Sequence, residues 1–192
     1  IAFIIITIIA NRRGRNAAAA VGIVEKIISF LFLIPPSMLL SVSALAALNI
    51  GAGKYVRAKQ TLRYAMMIAI GFGLVVSILI QFIAAPVVGL FTADAAVILL
   101  GAQYIRGYIW DCIFAGVHFS FSGYFCACEK SGISFLHNLI AILCVRIPGV
   151  YLTSKIFPHT LFPMGLATAT GSLLSVIICI IAYRWLCEKS GK

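Results

Sequence analysis

Long, nearly uninterrupted apolar runs dominate this chain, and short polar segments separate them. A helix that rises 1.5 Å per residue needs about 20 apolar residues to cross a bilayer core about 30 Å thick, and each long run reaches that length. No run shows the alternating pattern of an outer-membrane strand, so the pattern predicts α-helices. The full-length runs cover about residues 21–47, 64–90, 97–126, 133–157 and 165–185.

The first run, residues 1–10, is too short to cross a membrane alone. The chain also begins with Ile inside this run rather than with Met, so we expect the tail of a truncated helix. The links between runs are too short to separate domains. The predicted fold is therefore an all-α integral membrane protein, a polytopic bundle of five full spans plus one truncated span. It forms a single membrane domain over residues 1–192.

Composition narrows the class of protein further. Hydrophobic residues make up 62% of the 192 residues and charged residues only 10%, against about 25% charged in soluble proteins. This excludes a water-soluble enzyme and a disordered tail. The net charge of +10 is more simply explained by anchoring charge at a membrane face than by a nucleic-acid partner. The six cysteines lie mostly within apolar runs without C-x-x-C spacing, so no metal is predicted.

The distribution of loop charge predicts orientation. One side of the membrane receives eight basic residues and the other four, and the positive-inside rule places the richer side in the cytoplasm. We expect a multi-pass protein of the cell membrane with a cytoplasmic C-terminus, although the cluster Arg12, Arg13 and Arg15 on the poorer side argues against this orientation. The eight are Lys54, Arg57, Lys59, Arg63, Lys130, Arg184, Lys189 and Lys192.

Asp111 is the foremost candidate for a functional residue. It lies near the middle of its run, where a short charged side chain cannot reach water and needs a cavity or a partner. Tyr104, Tyr108, Asp111, His118 and Ser122 follow at helical spacing and predict a polar stripe facing a water-accessible lumen. There the carboxylate can bind a proton, a monovalent cation or a substrate. The alternative is a structural Asp paired with an arginine of another helix.

Two further ionisable residues enter the candidate ion-coupling or substrate site. Glu25, beside Lys26, lies in the opening turns of its run, where interface anchoring is the alternative to a binding role. His118 is suited to relay protons, and a packed, hydrogen-bonded histidine is the equally weighted alternative.

Proline and glycine predict where helices bend and where they approach closely. Pro35, Pro36 and Pro148 lie within spans and remove helix hydrogen bonds, which predicts kinks and candidate hinges. Glycines inside the spans favour close helix packing. They are Gly71, Gly73, Gly107, Gly116 and Gly123.

Four segments together resemble a known family. Residues 49–58, NIGAGKYVRA, look like a loop of the multidrug and toxic compound extrusion (MATE) transporters. Residues 18–30 resemble the start of that family's eighth helix, residues 89–94 its LFT-type turn, and residues 145–148 its RIP element. They occur in the family's order and cover nearly the whole chain. The sequence departs from the family pattern at Leu48, Ala127 and Glu129.

The resemblance implies a specific architecture and activity. Such transporters pair two six-helix lobes around a central cavity and export a substrate against inward H⁺ or Na⁺. This chain is similar to the C-terminal lobe, with most of its first helix absent. The resemblance implies an N-terminal lobe and membrane lipid as partners, a small cationic or amphipathic substrate, and no cofactor besides the coupling ion. It carries one functional position over, Asp111.

Two other functions stay open on the sequence. A lipid-linked saccharide flippase has a similar bundle, but its cavity should carry more cationic residues than Arg106 and Arg146. An intramembrane enzyme needs Asp111 and His118 to converge on a substrate. Seven residues of helix separate these two by about 10.5 Å along the axis, which is too far for direct contact.

Overall fold

The computed structural model describes the backbone of residues 2–189 and the side chains of residues 4–186. All regular structure within that part of the chain is helical, which confirms the predicted fold class. The helices are α1 (Ala2–Asn11), α2 (Arg15–Leu31), α3 (Ile34–Gly51), α4 (Tyr55–Gly89), α5 (Ala95–Tyr108), α6 (Asp111–Ala127), α7 (Ser131–Ala141), a π-helical segment (Ile142–Arg146), α8 (Ile147–Ile156) and α9 (Phe162–Lys189).

Residues 21–47 do not form one straight helix. The chain breaks at residues 32–33, between α2 and α3. Pro35 and Pro36 lie in the first turn of α3, where backbone N–H groups lack helical partners in any case, so their missing donors cost little. The prolines are therefore accommodated by starting a new helix.

The expectation of one continuous helix over residues 97–126 is wrong. The chain breaks at Ile109–Trp110, between α5 and α6, although this dipeptide contains no helix-breaking residue. Two side chains one turn apart on α4 donate hydrogen bonds beside the break, where the carbonyl oxygen of Ile109 also accepts from the backbone N–H of Cys112 at 3.0 Å. Ser77 Oγ donates to the carbonyl oxygen of Ile109 at 3.2 Å, and Gln81 Nε2 donates to that of Arg106 at 3.0 Å. Because lipid cannot satisfy exposed carbonyls, these donors make the break tolerable at membrane depth.

A π-helical turn interrupts the next span. The N–H of Ile147 bonds to the carbonyl oxygen of Ile142, five residues earlier, and Pro148 follows directly. The turn joins α7 to α8 and places Arg146 at its last position. Such wide turns occur frequently at functional sites.

Four helical stretches in the described chain are long and apolar enough to cross a membrane. The remaining predicted span is divided between α5 and α6, which have 14 and 17 residues, so neither helix reaches membrane length alone. Most residues of α6 are buried, so α5 and α6 form the centre of the bundle rather than its lipid-facing rim. The four stretches are Arg15–Gly51, Tyr55–Gly89, Ser131–Ile156 and Phe162–Leu186.

The interior of the bundle consists of two apolar cores and a polar layer. In α6, Cys112 belongs to the first core and Phe121 to the second, with His118 between them. In α9, Ala167 and Cys179 likewise flank a polar stretch. We define the polar layer as Tyr108, Asp111, His118, Ser122, His137, Arg146, Ser172 and Ser175.

Glycine allows the central helices to approach closely. A Cβ atom on Gly107 of α5 would meet the backbone oxygen of Phe162, and one on Gly123 of α6 would meet that of Leu39. Gly71 differs from the prediction, because it faces open space and packs against nothing.

Candidate functional site

A buried ion pair forms the centre of the polar layer. Asp111 is the first residue of α6, and its side chain is only 1% exposed. Arg146 Nη2 reaches it from the π-helical segment and donates to Asp111 Oδ2 at 2.7 Å. The break before Asp111 and the π turn that ends at Arg146 therefore bring opposite charges from two spans together. This is the arginine pairing that the sequence left open as an alternative.

Tyr108 completes this group from the last position of α5. The same Arg146 Nη2 donates to the Tyr108 hydroxyl at 3.0 Å, and the guanidinium carbon lies 5.8 Å from the centre of the tyrosine ring. Tyr104 and Phe32 pack against that ring, with centroids 5.7 and 6.0 Å away. One guanidinium thus fixes a carboxylate and a phenol on either side of the α5–α6 break.

Three buried polar atoms of the polar layer make no hydrogen bond with the described residues. They are Asp111 Oδ1, Arg146 Nε and His118 Nδ1. Arg146 and His118 also line a cavity of about 10 Å³, which is the room that one water molecule needs. Ser172 and Ser175 of α9 form its opposite wall, and Ser172 lies close to the Asp111 carboxylate. The geometry leaves hydrogen-bonding capacity for one small polar species.

The sequence analysis assigned no role to His137, which is buried in the polar layer. Its ring bonds to Ser122 Oγ through Nε2 at 2.8 Å and to Ser175 Oγ through Nδ1 at 2.5 Å. The His118 ring meets it edge-on with centroids 5.7 Å apart. Its only signal in the sequence is an ionisable side chain inside an apolar run. The two serines are too common in membrane helices to indicate a partner.

Glu25 lies at the margin of this region. Its Oε2 accepts a hydrogen bond from Thr7 Oγ1 of α1 at 3.3 Å, and its Oε1 is buried without a hydrogen bond. The carboxylate is close enough to Tyr104 and Tyr108 to interact with both electrostatically. The described hydrogen bond of the Glu25 carboxylate thus ties it to α1 and not to Asp111.

The structure places the residues of the predicted polar stripe in surroundings other than those predicted. The five residues of the stripe are all buried inside the bundle and divided between two helices, not aligned on one helix facing a water-accessible lumen. The reason is that α4, α7 and α9 cover this face within the same chain. The structure does bring Tyr108 and Asp111 together and places His118 across the small cavity from Arg146.

Two curated proteins of similar sequence are described as probable multidrug resistance proteins. The chain is 25% identical over 183 residues to the probable multidrug resistance protein NorM of Halalkalibacterium halodurans, covering 95% of this chain and 39% of that protein. It is 28% identical over 106 residues to the probable multidrug resistance protein YoeA of Bacillus subtilis, covering 55% and 23%. The chain thus spans about two fifths of the length of the first relative.

Solved structures show the same fold. The chain superimposes on a mutant of the Vibrio cholerae MATE transporter VcmN with a TM-score of 0.90 and 16% identity, covering 98% of this chain and 42% of that one. An inward-facing multidrug resistance MATE family transporter gives 0.85 and 13%, with 93% and 41% covered. The MatE family model matches residues 1–152. This confirms the resemblance seen in the sequence: the chain is a multi-pass membrane protein and belongs to the MatE family of transporters.

Proposed function

We propose that this chain forms the C-terminal lobe of a secondary active multidrug efflux transporter. The complete protein would export cationic or amphipathic compounds against inward H⁺ or Na⁺ by alternating access, with an N-terminal lobe completing the cavity. Asp111 would bind the coupling ion or a cationic substrate. The observation that carries this proposal is a buried carboxylate with one oxygen held by Arg146 and the other unpaired.

In this proposal an incoming ion competes with Arg146 for Asp111. A proton or a monovalent cation on the carboxylate neutralises it, and Arg146 then loses the partner that holds it to α6. Breaking a buried pair from one side costs about 3–5 kcal/mol. Since about 5.5 kcal/mol shifts a two-state equilibrium from 1:99 to 99:1, this one pair is large enough to bias a conformational change.

The same proposal assigns the movement to the interrupted spans. Arg146 ends the π turn two residues before Pro148, so a change of partner at Arg146 acts on the junction of α7 and α8. Pro35 and Pro36 begin the second half of another interrupted span. Discontinuous helices carry the binding sites and the moving parts of many transporters.

Transport of a fluorescent organic cation tests the role of Asp111. In proteoliposomes containing the complete transporter, we expect Asp111→Asn to abolish the increase in efflux that an imposed H⁺ or Na⁺ gradient causes. Asp94→Asn is the matched control, because Asp94 caps α5 through Oδ1 and Asn caps helices equally well. Gradient-dependent efflux by Asp111→Asn at the level of the control would overturn the role.

We also propose that the C-terminus is cytoplasmic. Arg13 belongs to the basic cluster that counted against this orientation, but its side chain serves a structural role. Its Nη2 donates to the carbonyl oxygens of Phe157, Pro158 and Thr160 at 2.7, 2.6 and 3.2 Å. If Arg13 is left out of the count, the proposed outer side has three basic residues and the proposed cytoplasmic side has eight. A reporter enzyme fused to the C-terminus that is active only in the cytoplasm tests this. Its inactivity in a well-expressed fusion would reverse the orientation.

A further inference from the structure

A basic cleft lies where the last turns of α1 and α8 meet. Its volume is about 360 Å³, and its walls include Arg12, Arg13, Tyr151, Ser154 and Lys155. Arg12 and Lys155 are exposed, whereas Arg13 is partly buried and bonded to the carbonyls after α8. The cleft therefore has one arginine bonded to the backbone and two exposed cations, Arg12 and Lys155, of which Lys155 also contacts Tyr151.

The net charge of the cleft is positive after the helix ends are counted. Two helix C-termini meet here and contribute about −0.5 each, whereas three basic side chains contribute +3, which leaves about +2. None of the carboxylates among the described side chains lines the cleft. Among the described side chains the one ion pair is that of Asp111 and Arg146, so Arg12 and Lys155 have no acidic partner there.

The surface beside the cleft is apolar and faces outward. Ile8 of α1 is 49% exposed, and Leu152 and Ile156 of α8 are 54% and 64% exposed. Tyr151 is also exposed, and Lys155 Nζ lies 5.0 Å from the centre of its ring. An aromatic ring beside a cation at a helix end is typical of the headgroup level of a membrane. A ligand here meets cations at one end and hydrocarbon-compatible surface at the other.

We propose that this cleft binds the headgroup of an anionic phospholipid. Arg12 and Lys155 contact the phosphate, and the Ser154 hydroxyl is placed to donate a hydrogen bond to it. The acyl chains lie along the exposed apolar faces of α1 and α8. Basic pockets between membrane helices bind anionic headgroups in this way on the cytoplasmic side, and this cleft would offer the same chemistry on the face opposite the proposed cytoplasmic C-terminus. The lipid would link α1 to α8, whose ends Arg13 already connects.

Native mass spectrometry of the complete protein in detergent tests this site. With phosphatidylglycerol as the probe, we expect the double variant Arg12→Gln, Lys155→Gln to weaken binding of the first lipid about 30-fold, since each cation contributes about a factor of five. The matched control is Lys54→Gln, Arg57→Gln, which removes one lysine and one exposed arginine from the opposite face. We expect that control to bind within about twofold of the unmodified protein.

Three results would overturn the proposal. The first is unchanged phosphatidylglycerol binding by the Arg12, Lys155 variant when it elutes as a monodisperse protein. The second is an equal loss in the Lys54, Arg57 control, which would show nonspecific attraction. The third is binding of phosphatidylcholine or of water-soluble glycerol phosphate as tight as that of phosphatidylglycerol. Equally tight binding of phosphatidylcholine would show a site without charge selectivity, and equally tight binding of glycerol phosphate would show a site for free phosphate.

Discussion

The contact between α5 and α9 allows a sharp test of the packing. A Cβ atom on Gly165 would meet the backbone oxygen of Tyr104 and lie 2.8 Å from the backbone nitrogen of Tyr108. Gly107 makes the reciprocal contact, because a Cβ there would lie 2.9 Å from the nitrogen of Leu166. Backbone atoms of two packed helices cannot turn away as a flexible side chain can. Gly165→Ala must therefore push α5 and α9 apart.

The expected magnitude follows from two opposing effects. Overpacking costs about 1–3 kcal/mol, and the upper end applies because the obstacle is backbone. Alanine is favoured over glycine in a helix by up to about 1 kcal/mol. We therefore expect Gly165→Ala to lower the free energy of unfolding by about 2 kcal/mol. Gly71→Ala, in open space on α4, gains only the helical preference and should stabilise by up to about 1 kcal/mol.

The assay is unfolding of the complete protein in mixed detergent micelles, followed by far-ultraviolet circular dichroism. The two variants carry the same chemical change, so their difference of about 3 kcal/mol reports the helix contact alone. If Gly165→Ala is as stable as Gly71→Ala, the close approach of α5 and α9 is wrong.

Two further predictions concern polar contacts. In a double-mutant cycle, Asp111→Asn and Arg146→Met should each lower the free energy of unfolding by about 3–5 kcal/mol. The double variant should lower it by about 1–3 kcal/mol less than the sum of the two. Additive effects in the same unfolding assay would contradict the ion pair. Arg13→Gln removes hydrogen bonds to three carbonyls and should cost about 1–3 kcal/mol. Arg15→Gln is the control, because Arg15 is exposed and no hydrogen bond is described for its side chain; it should cost less than about 0.5 kcal/mol. Equal thermal midpoints for the two variants would contradict the role of Arg13.

The apolar runs were sufficient to predict the fold class, because length and apolarity determine what crosses a membrane. They could not predict the break at Ile109–Trp110. The donors that make this break tolerable, Ser77 and Gln81, lie on another helix about 30 residues earlier. A local pattern contains no information about hydrogen bonds that form only after helices pack.

The candidate site was predictable only in part, because its ion pair also depends on how the helices pack. Asp111 is conspicuous because of its depth, but the sequence left open which arginine of another helix would pair with it. The choice depends on helix packing, since Arg106 instead donates through Nε to the carbonyl oxygen of Gln81 at 3.1 Å. The signal at His137, an ionisable side chain inside an apolar run, did not indicate its partners, because the two serines lie on different helices, α6 and α9.

The π-helical turn gives its span one residue of tolerance in length. An α-helical turn closes between residues four apart, whereas this turn closes between Ile142 and Ile147, five apart. Deleting one residue from 142–145 therefore leaves enough chain to close an ordinary α-helical turn, and α7 and α8 can keep the faces that they turn toward the bundle. In a regular α-helix the same deletion would rotate everything beyond it by about 100°. Side-chain size is less tolerant than length here, because a Cβ atom on Gly171 of α9 would lie 3.0 Å from the Cβ of Arg146.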